Sequence, residues 1–361
     1  MRIMHIVGNR PQFIKLAILF PALARSGVSE IIVHTGQHFD SNMSSVFFKE
    51  LAIPEPNYDL GINQIPHNEM IGRMIIETDR VIVKERPHLI VVYGDTNSTL
   101  AGAIAAKKRG VRIAHIEAGI RTGDGLMPEE SNRYLVDRMA DLNFCCTYQG
   151  MKNLEMEGFL NGLIKSKFFL SGDLMLDAVK IFGAKAKYNS KLEQDSRIQK
   201  PFILATIHRE ENNEDPENLQ NIADALNKLH KHTTVLMPLH PKTKKMIEKF
   251  QLSLKIETCD PLGYFDMQHV LQKSQSVITD SGGLSREAFF LQKPTLVLMQ
   301  HPFWPEIFIH GNCLQSNPKT SEILSRHAEL MNSRKPFNVD IFGTGSAAVE
   351  ISRILLVAIK N

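Results

Sequence analysis

The chain has 361 residues, 43% of them hydrophobic and 22% charged, with a formal net charge of +3. That composition is ordinary for a globular protein and the length suggests two domains, while so small a charge gives no footprint for nucleic acid or an anionic membrane. No apolar run approaches the ~20 residues that span a bilayer, MRIMHIVGNRPQ lacks a signal-peptide core, and the four cysteines show no C-x-x-C spacing, so a cytoplasmic protein with reduced, buried thiols is expected.

In chain order, short β-rich runs alternate with longer helical patterns. RIMHIV (2–7), EIIVHT (30–35), LIVVYGD (89–95), RIAHIE (112–117) and DLNFCCT (141–147) read as buried parallel strands, being apolar and rich in β-branched residues. Helical stretches at 14–26, 68–85, 97–109 and 129–139 separate them. The rhythm restarts after residue 170: FILATI (202–207), TTVLMPLH (233–240), SQSVITD (274–280) and PTLVLM (294–299) are strands, and 216–231, 242–250, 264–272 and 283–292 are helical. This alternation predicts an α/β protein of two doubly wound, Rossmann-like domains. The expected boundaries are 1–168, 169–344 and a C-terminal helix at 345–361 that packs back on the first domain, with 168–180 as the crossing.

Ligands of such sheets bind outside the carboxyl ends of the strands. The unusual polar residues fall there: GNRPQ (8–12), TGQH (35–38), GDTNST (94–99), EAGIRT (117–122), HREEN (208–212), PLHPKT (238–243) and DSGG (280–283). Absent are G-x-G-x-x-G after the first strand, a Walker loop, H-E-x-x-H and G-x-S-x-G, which lowers the standing of NAD, ATP, zinc-protease and esterase chemistry.

In TDSGGLSREA, Gly282 and Gly283 let backbone approach a ligand at a helix start suited to a diphosphate, and Glu287 lies one turn on, placed for a ribose. The plain alternative is an N-cap at Ser281. Arg10 and Lys15 could face an anion, or be ordinary surface cations. Asp95 and Glu117 end strands, and Glu129 and Glu130 follow Pro128 at a helix start. Converging carboxylates repel one another, which prepares one as base and another as acid. The alternative is a capped helix with Arg121 and Arg133 as ion-pair partners; Asp95 would then cap the next helix. His208 is placed to hold phosphate or move a proton, and His5 and His115 read as core.

GNRPQFIK, TGQH, VYGDTNST, HIEAGIRT with PEESNR, ATIHREEN, PLHPKT and VITDSGGLSREA, in that order over residues 1 to 312, resemble the non-hydrolysing UDP-N-acetylglucosamine 2-epimerases. The resemblance implies the glycosyltransferase-B fold, with two doubly wound domains facing a cleft, a homodimer, and no metal or redox cofactor. It implies interconversion of UDP-GlcNAc and UDP-ManNAc by loss of UDP from C1 with the C2 proton, then re-addition to bound 2-acetamidoglucal. Asp95, Glu117 and Glu129 are the implied acid–base carboxylates, with His208 near the diphosphate. Arg10, Lys15, Ser281, Gly282, Gly283 and Arg133 are implied at the substrate, and Glu287 at the ribose. Gln37, Arg209 and His240 match an activator site for a second UDP-GlcNAc, but Asp40 stands where that site has a second Gln.

Other departures are Asn9 in GNRP, Glu210 in place of an Arg, and MQHPFWPE (299–306), where Met299, Phe303 and Trp304 displace two Arg and a Glu. Met267 aligns with the aromatic expected to stack on uracil, with Tyr264 and Phe265 adjacent. A subgroup acting on UDP-2,3-diacetamido-glucuronic acid shares the HFDSNMSSVFFKEL, PLGY and WPE stretches and stands as the second reading. A hydrolysing epimerase, a glycosyltransferase and a non-catalytic sensor are the rival classes.

Overall fold

A computed structural model describes residues 1–37, 48–160, 164–189, 192–309, 311–332 and 335–360. The chain divides into two compact units, Met1–Ala178 with Asp340–Asn361, and Val179–Val339.

The first unit carries a seven-stranded sheet in the order β3-β2-β1-β4-β5-β6-β7. Its strands are β1 (Arg2–Val7), β2 (Ser29–His34), β3 (Tyr58–Asp59), β4 (Leu89–Tyr93), β5 (Arg112–Ile116), β6 (Leu142–Cys145) and β7 (Lys167–Leu170), and every pairing is parallel. All five residues of β4 are buried, as expected of a strand covered on both faces. The helices are α1 (Arg10–Ala24), α2 (His67–Glu85), α3 (Asn97–Lys108), α4 (Pro128–Met139), α5 (Tyr148–Met156), α6 (Leu174–Asn189) and the C-terminal Ala347–Lys360. The direction of the winding reverses between β1 and β4, and an opening forms at such a switch point.

The crossing expected at 168–180 is part strand and part helix. Phe168–Leu170 pairs with β6 in the first sheet, and the division between units falls after Ala178, inside α6. Asp177 accepts from the backbone N–H of Ala347 and Ala348 at 3.1 and 2.8 Å, fixing the start of the C-terminal helix. That helix packs along α1. By length and composition, 339–360 is apolar enough to cross a membrane, which the sequence reading of apolar runs does not anticipate. Its regular part, Ala347–Lys360, has 14 residues and spans about 21 Å, short of a ~30 Å hydrocarbon core.

The second unit repeats the winding with six parallel strands in the order β10-β9-β8-β11-β12-β13. These are β8 (Phe202–Thr206), β9 (Thr234–Pro238), β10 (Glu257–Cys259), β11 (Ser276–Thr279), β12 (Thr295–Val297) and β13 (Cys313–Gln315). Helices α7 (Glu210–Asn213), α8 (Pro216–His230), α9 (Pro241–Lys249), α10 (Tyr264–Lys273), α11 (Gly282–Phe290) and α12 (Thr320–Asn332) surround it, and the C-terminal helix becomes α13. The switch point lies between β8 and β11. All four thiols are free. Burial pushes the Cys145 thiol up, and that of Cys313 up to about 12, so neither is primed as a nucleophile.

Candidate active site

In the first unit the polar residues gather at the carboxyl ends of β1, β4 and β5. Gln12, fully buried on α1, fixes the frame. Its Oε1 accepts from Gly8 N at 2.6 Å, and its Nε2 reaches the Tyr93 carbonyl at 2.7 Å and the Thr96 and Thr99 hydroxyls at 3.0 Å. One amide thus ties β1, β4 and the start of α3. The α3 cap is Thr96, whose side chain accepts from Thr99 N, so Asp95 is released from the capping role.

Asp95 instead accepts through one oxygen, Oδ2, from both Arg133 Nη2 at 2.5 Å and Nε at 3.0 Å, charge-assisted hydrogen bonds. Arg133 is buried on α4 and also donates to Glu130 at 2.6 Å. Glu130, equally buried, accepts from Thr122 N at 3.1 Å and Gly123 N at 3.2 Å. It therefore holds the Gly-rich loop against the helix start. Its neighbour Glu129 is half-buried in the same turn and makes no hydrogen bond or ion pair among the described residues. The two glutamates of PEE have divided roles: Glu130 is spent on structure and Glu129 is not.

Glu117 follows β5 with φ +74°, a left-handed conformation that costs a non-glycine residue about 1 kcal/mol or more. Its carboxylate forms an ion pair with Lys15, which is buried on α1. Lys15 is therefore a partner of an acid within the unit. The Cys146 thiol and the Asp173 carboxylate come within 4.8 Å of the Glu117 carboxylate. Sequence reasoning missed both, since neither residue type nor spacing links positions 117, 146 and 173.

Behind this edge lies a second buried network. His115 Nδ1 meets Asp137 at 2.8 Å and its Nε2 faces the Gly94 carbonyl at 2.7 Å. Arg121 donates to Asp137 at 2.8 Å and to Glu157 at 2.7 Å. Burial alone would raise the Asp137 pKa, but the His115 hydrogen bond and charge, with Arg121, outweigh it and hold the carboxyl below its ordinary value. His115 is thus a core residue, as read, and a brace for Gly94 beside Asp95. Arg10 begins α1 after the Asn9 cap. Gln37 is used locally: its Oε1 accepts from Ser98 N at 3.0 Å and Ser98 Oγ at 2.6 Å. Asp40 and most of the HFDSNMSSVFFKEL stretch lie outside the described residues. A cavity of about 650 Å³ in this unit lies at the opposite edge, among Arg112, Leu142, Lys167 and Val357, where β5, β6 and β7 begin.

In the second unit Ser281 caps α11, accepting from Leu284 N at 3.2 Å. Gly282 and Gly283 bring no side chains of their own to the first turn, so the cap coexists with a bare helix start on which the Phe303 ring packs at Gly282. Asp280, fully buried, organises the facing turn. Its carboxylate accepts from His208 N at 3.0 Å, Arg209 N at 3.0 Å and Asn212 Nδ2 at 3.1 Å. His208 Nδ1 lies 3.4 Å from Asp280, while its ring is exposed toward solvent. Sequence reading passed over Asp280 as part of DSGG; an acid immediately before a glycine-rich helix start was the available signal. His240 lies with its ring 6.2 Å from that of His208, and it caps α9 by accepting from Lys242 N at 3.2 Å. Glu287 is buried on α11.

The departures have structural consequences. Phe303 packs on Gly282, where an added Cβ would come within 2.5 Å of its ring. The Arg209 guanidinium lies 5.0 Å from the Phe303 ring centre, and that of Arg286 lies 4.0 Å from the Trp304 ring. Glu210 pairs with Lys242 at 2.8 Å. Tyr264 and Phe265 are buried edge-on against Phe182, at 5.9 and 6.0 Å, so these rings fill the core and do not replace the aromatic missing at Met267.

Two parallel doubly wound α/β units are the architecture of the glycosyltransferase-B type, which the solved structures of UDP-GlcNAc 2-epimerases share. A profile of the UDP-N-acetylglucosamine 2-epimerase family matches residues 22–356, and the chain belongs to that family of isomerases. It is 43% identical over 358 residues to the UDP-2,3-diacetamido-2,3-dideoxy-D-glucuronate 2-epimerase of Pseudomonas aeruginosa, covering 98% of this chain and 99% of that protein. It is 34% identical to the UDP-N-acetylglucosamine 2-epimerase of Methanocaldococcus jannaschii, covering 98% and 99%. The crystal structure of the M. jannaschii enzyme with UDP-GlcNAc and UDP superposes with a TM-score of 0.91, covering 99% of this chain and all of that one.

Proposed function

We propose that the protein interconverts UDP-GlcNAc and UDP-ManNAc without net hydrolysis. The observation that supports this reading is one of placement: Asp95 follows β4, Glu117 follows β5 and Glu129 lies in the first turn of α4, three carboxylates beyond the carboxyl ends of neighbouring strands. The C2 hydrogen of the sugar has no adjacent carbonyl, so it leaves only with a departing group. A carboxylate takes the C2 proton, the C1–O bond breaks with its electron pair going to UDP, and C1=C2 forms. The reverse step returns the UDP oxygen to C1 and a proton to the other face of C2. Asp95 is clamped by Arg133 and Glu117 by Lys15, so proton uptake at either disrupts an ion pair. Glu129 has no such pair among the described residues and is the carboxylate left for the proton transfer. The start of α11, with His208, supplies donors for the charge that grows on the diphosphate.

Incubation with UDP-GlcNAc in D2O, followed by NMR, tests the reading. Deuterium at C2 together with UDP-ManNAc is expected. Free ManNAc plus UDP would show a hydrolysing enzyme. Failure to exchange by protein that binds UDP would reject the plain sugar.

A second reading is favoured by the 43% identity to the P. aeruginosa enzyme and by the aromatic 303–304 pair where family members place charge. In it the substrate is UDP-2,3-diacetamido-glucuronic acid, with the same chemistry at C2. Turnover on the two UDP-sugars compared side by side decides between them.

A further inference from the structure

Arg209 is unusual for a side chain only 24% exposed: its guanidinium makes no hydrogen bond among the described residues, and its one ion pair there is to the more exposed Glu211 at 3.8 Å. Its backbone is pinned, because Arg209 N donates to Asp280 at 3.0 Å, one residue before the α11 cap. Its guanidinium is held over the Phe303 ring at 5.0 Å. The same ring presses on Gly282, the first residue of α11. Phe303 therefore touches both the cation and the helix start. A guanidinium laid on an aromatic face keeps its planar N–H edge for an anion, and a phosphate matches that fork in two hydrogen bonds.

We infer that Phe303 is a positioning residue that holds Arg209 beside the N-terminus of α11, so that the guanidinium and the helix start form one diphosphate receptor. This rests on the reading that the second unit binds UDP. It also gives a physical reason for glycine at 282: any side chain there would displace the ring and the arginine with it. A stack of this kind is worth about a fivefold change in binding when the ring face is lost.

The test is calorimetric titration of the full chain with UDP, using Phe303→Leu, Phe303→Tyr, Arg209→Ala and the double variant Phe303→Leu with Arg209→Ala. Phe303→Leu should weaken UDP about fivefold and raise KM more than it lowers kcat. Phe303→Tyr keeps the aromatic face and should restore binding. In the Arg209→Ala background, Phe303→Leu should have no further effect. Phe303→Leu within about twofold of the parent would overturn the inference, as would an equal loss in the presence and absence of Arg209. Arg209→Ala that leaves UDP affinity intact overturns it too. A parent protein that does not bind UDP at all fails at the earlier step, the assignment of the second unit. If Phe303→Leu does not fold, Phe303→Met carries the same comparison.

Discussion

The neighbouring glutamates of PEE offer the sharpest prediction. Glu130→Gln removes the charge that faces Arg133 at 2.6 Å and one of the two oxygens shared among Thr122 N, Thr122 Oγ1 and Gly123 N. Deleting one partner of a buried ion pair costs about 3–5 kcal/mol. Here Arg133 keeps Asp95 at 2.5 Å and Gln keeps one acceptor, so about 2–3 kcal/mol is expected. In a unit of roughly 200 residues that lowers Tm by about 5–10 °C. Glu129→Gln removes no hydrogen bond or ion pair to another described residue, so stability should change by under about 0.5 kcal/mol. Turnover should nevertheless fall roughly 10²–10⁴-fold if Glu129 moves the proton. Calorimetric melting and C2 deuterium exchange of both variants are the assays. Glu129→Gln melting as early as Glu130→Gln, or turning over like the parent, would refute the division of roles.

Three further outcomes are expected. Gln12→Leu strands the Gly8 N–H and the Tyr93 carbonyl in the core and should cost about 1–3 kcal/mol, read by denaturant unfolding. The Asp137 carboxyl is held below its ordinary value, so its contribution is complete above about pH 3.8 and is lost as pH falls through the lower folded value. Asp137→Asn should therefore flatten the acid limb of a Tm–pH curve while lowering Tm at neutral pH. Gly282→Ala forces a Cβ to within 2.5 Å of the Phe303 ring, so UDP affinity measured by titration should fall with little change in Tm.

Much of the fold was legible because parallel strands buried on both faces must be continuous apolar runs, and LIVVY and FILAT are such runs. Two starts of the βαβ rhythm gave two windings. The short edge strands β3, β10 and β13 were not legible, since two or three residues carry no period. The crossing was blurred because β7 is partly exposed and carries no continuous apolar signal.

Strand-end chemistry was also visible in the sequence, since ligands of doubly wound sheets bind beyond the carboxyl ends of the strands and the unusual polar residues fall there. Residue types and order supplied the carboxylates at 95, 117 and 129, the glycines at 282 and 283, and the likeness to the epimerases. What each charge does was decided by tertiary structure. Only packing shows that Lys15 faces Glu117, that Glu130 is spent on a loop while Glu129 is not, and that Thr96 takes the cap and frees Asp95. Only packing lays Phe303 between Arg209 and Gly282. The reason is range: periodicity and capping act within a few residues, whereas desolvated ion pairs join groups from strands and helices far apart in the chain.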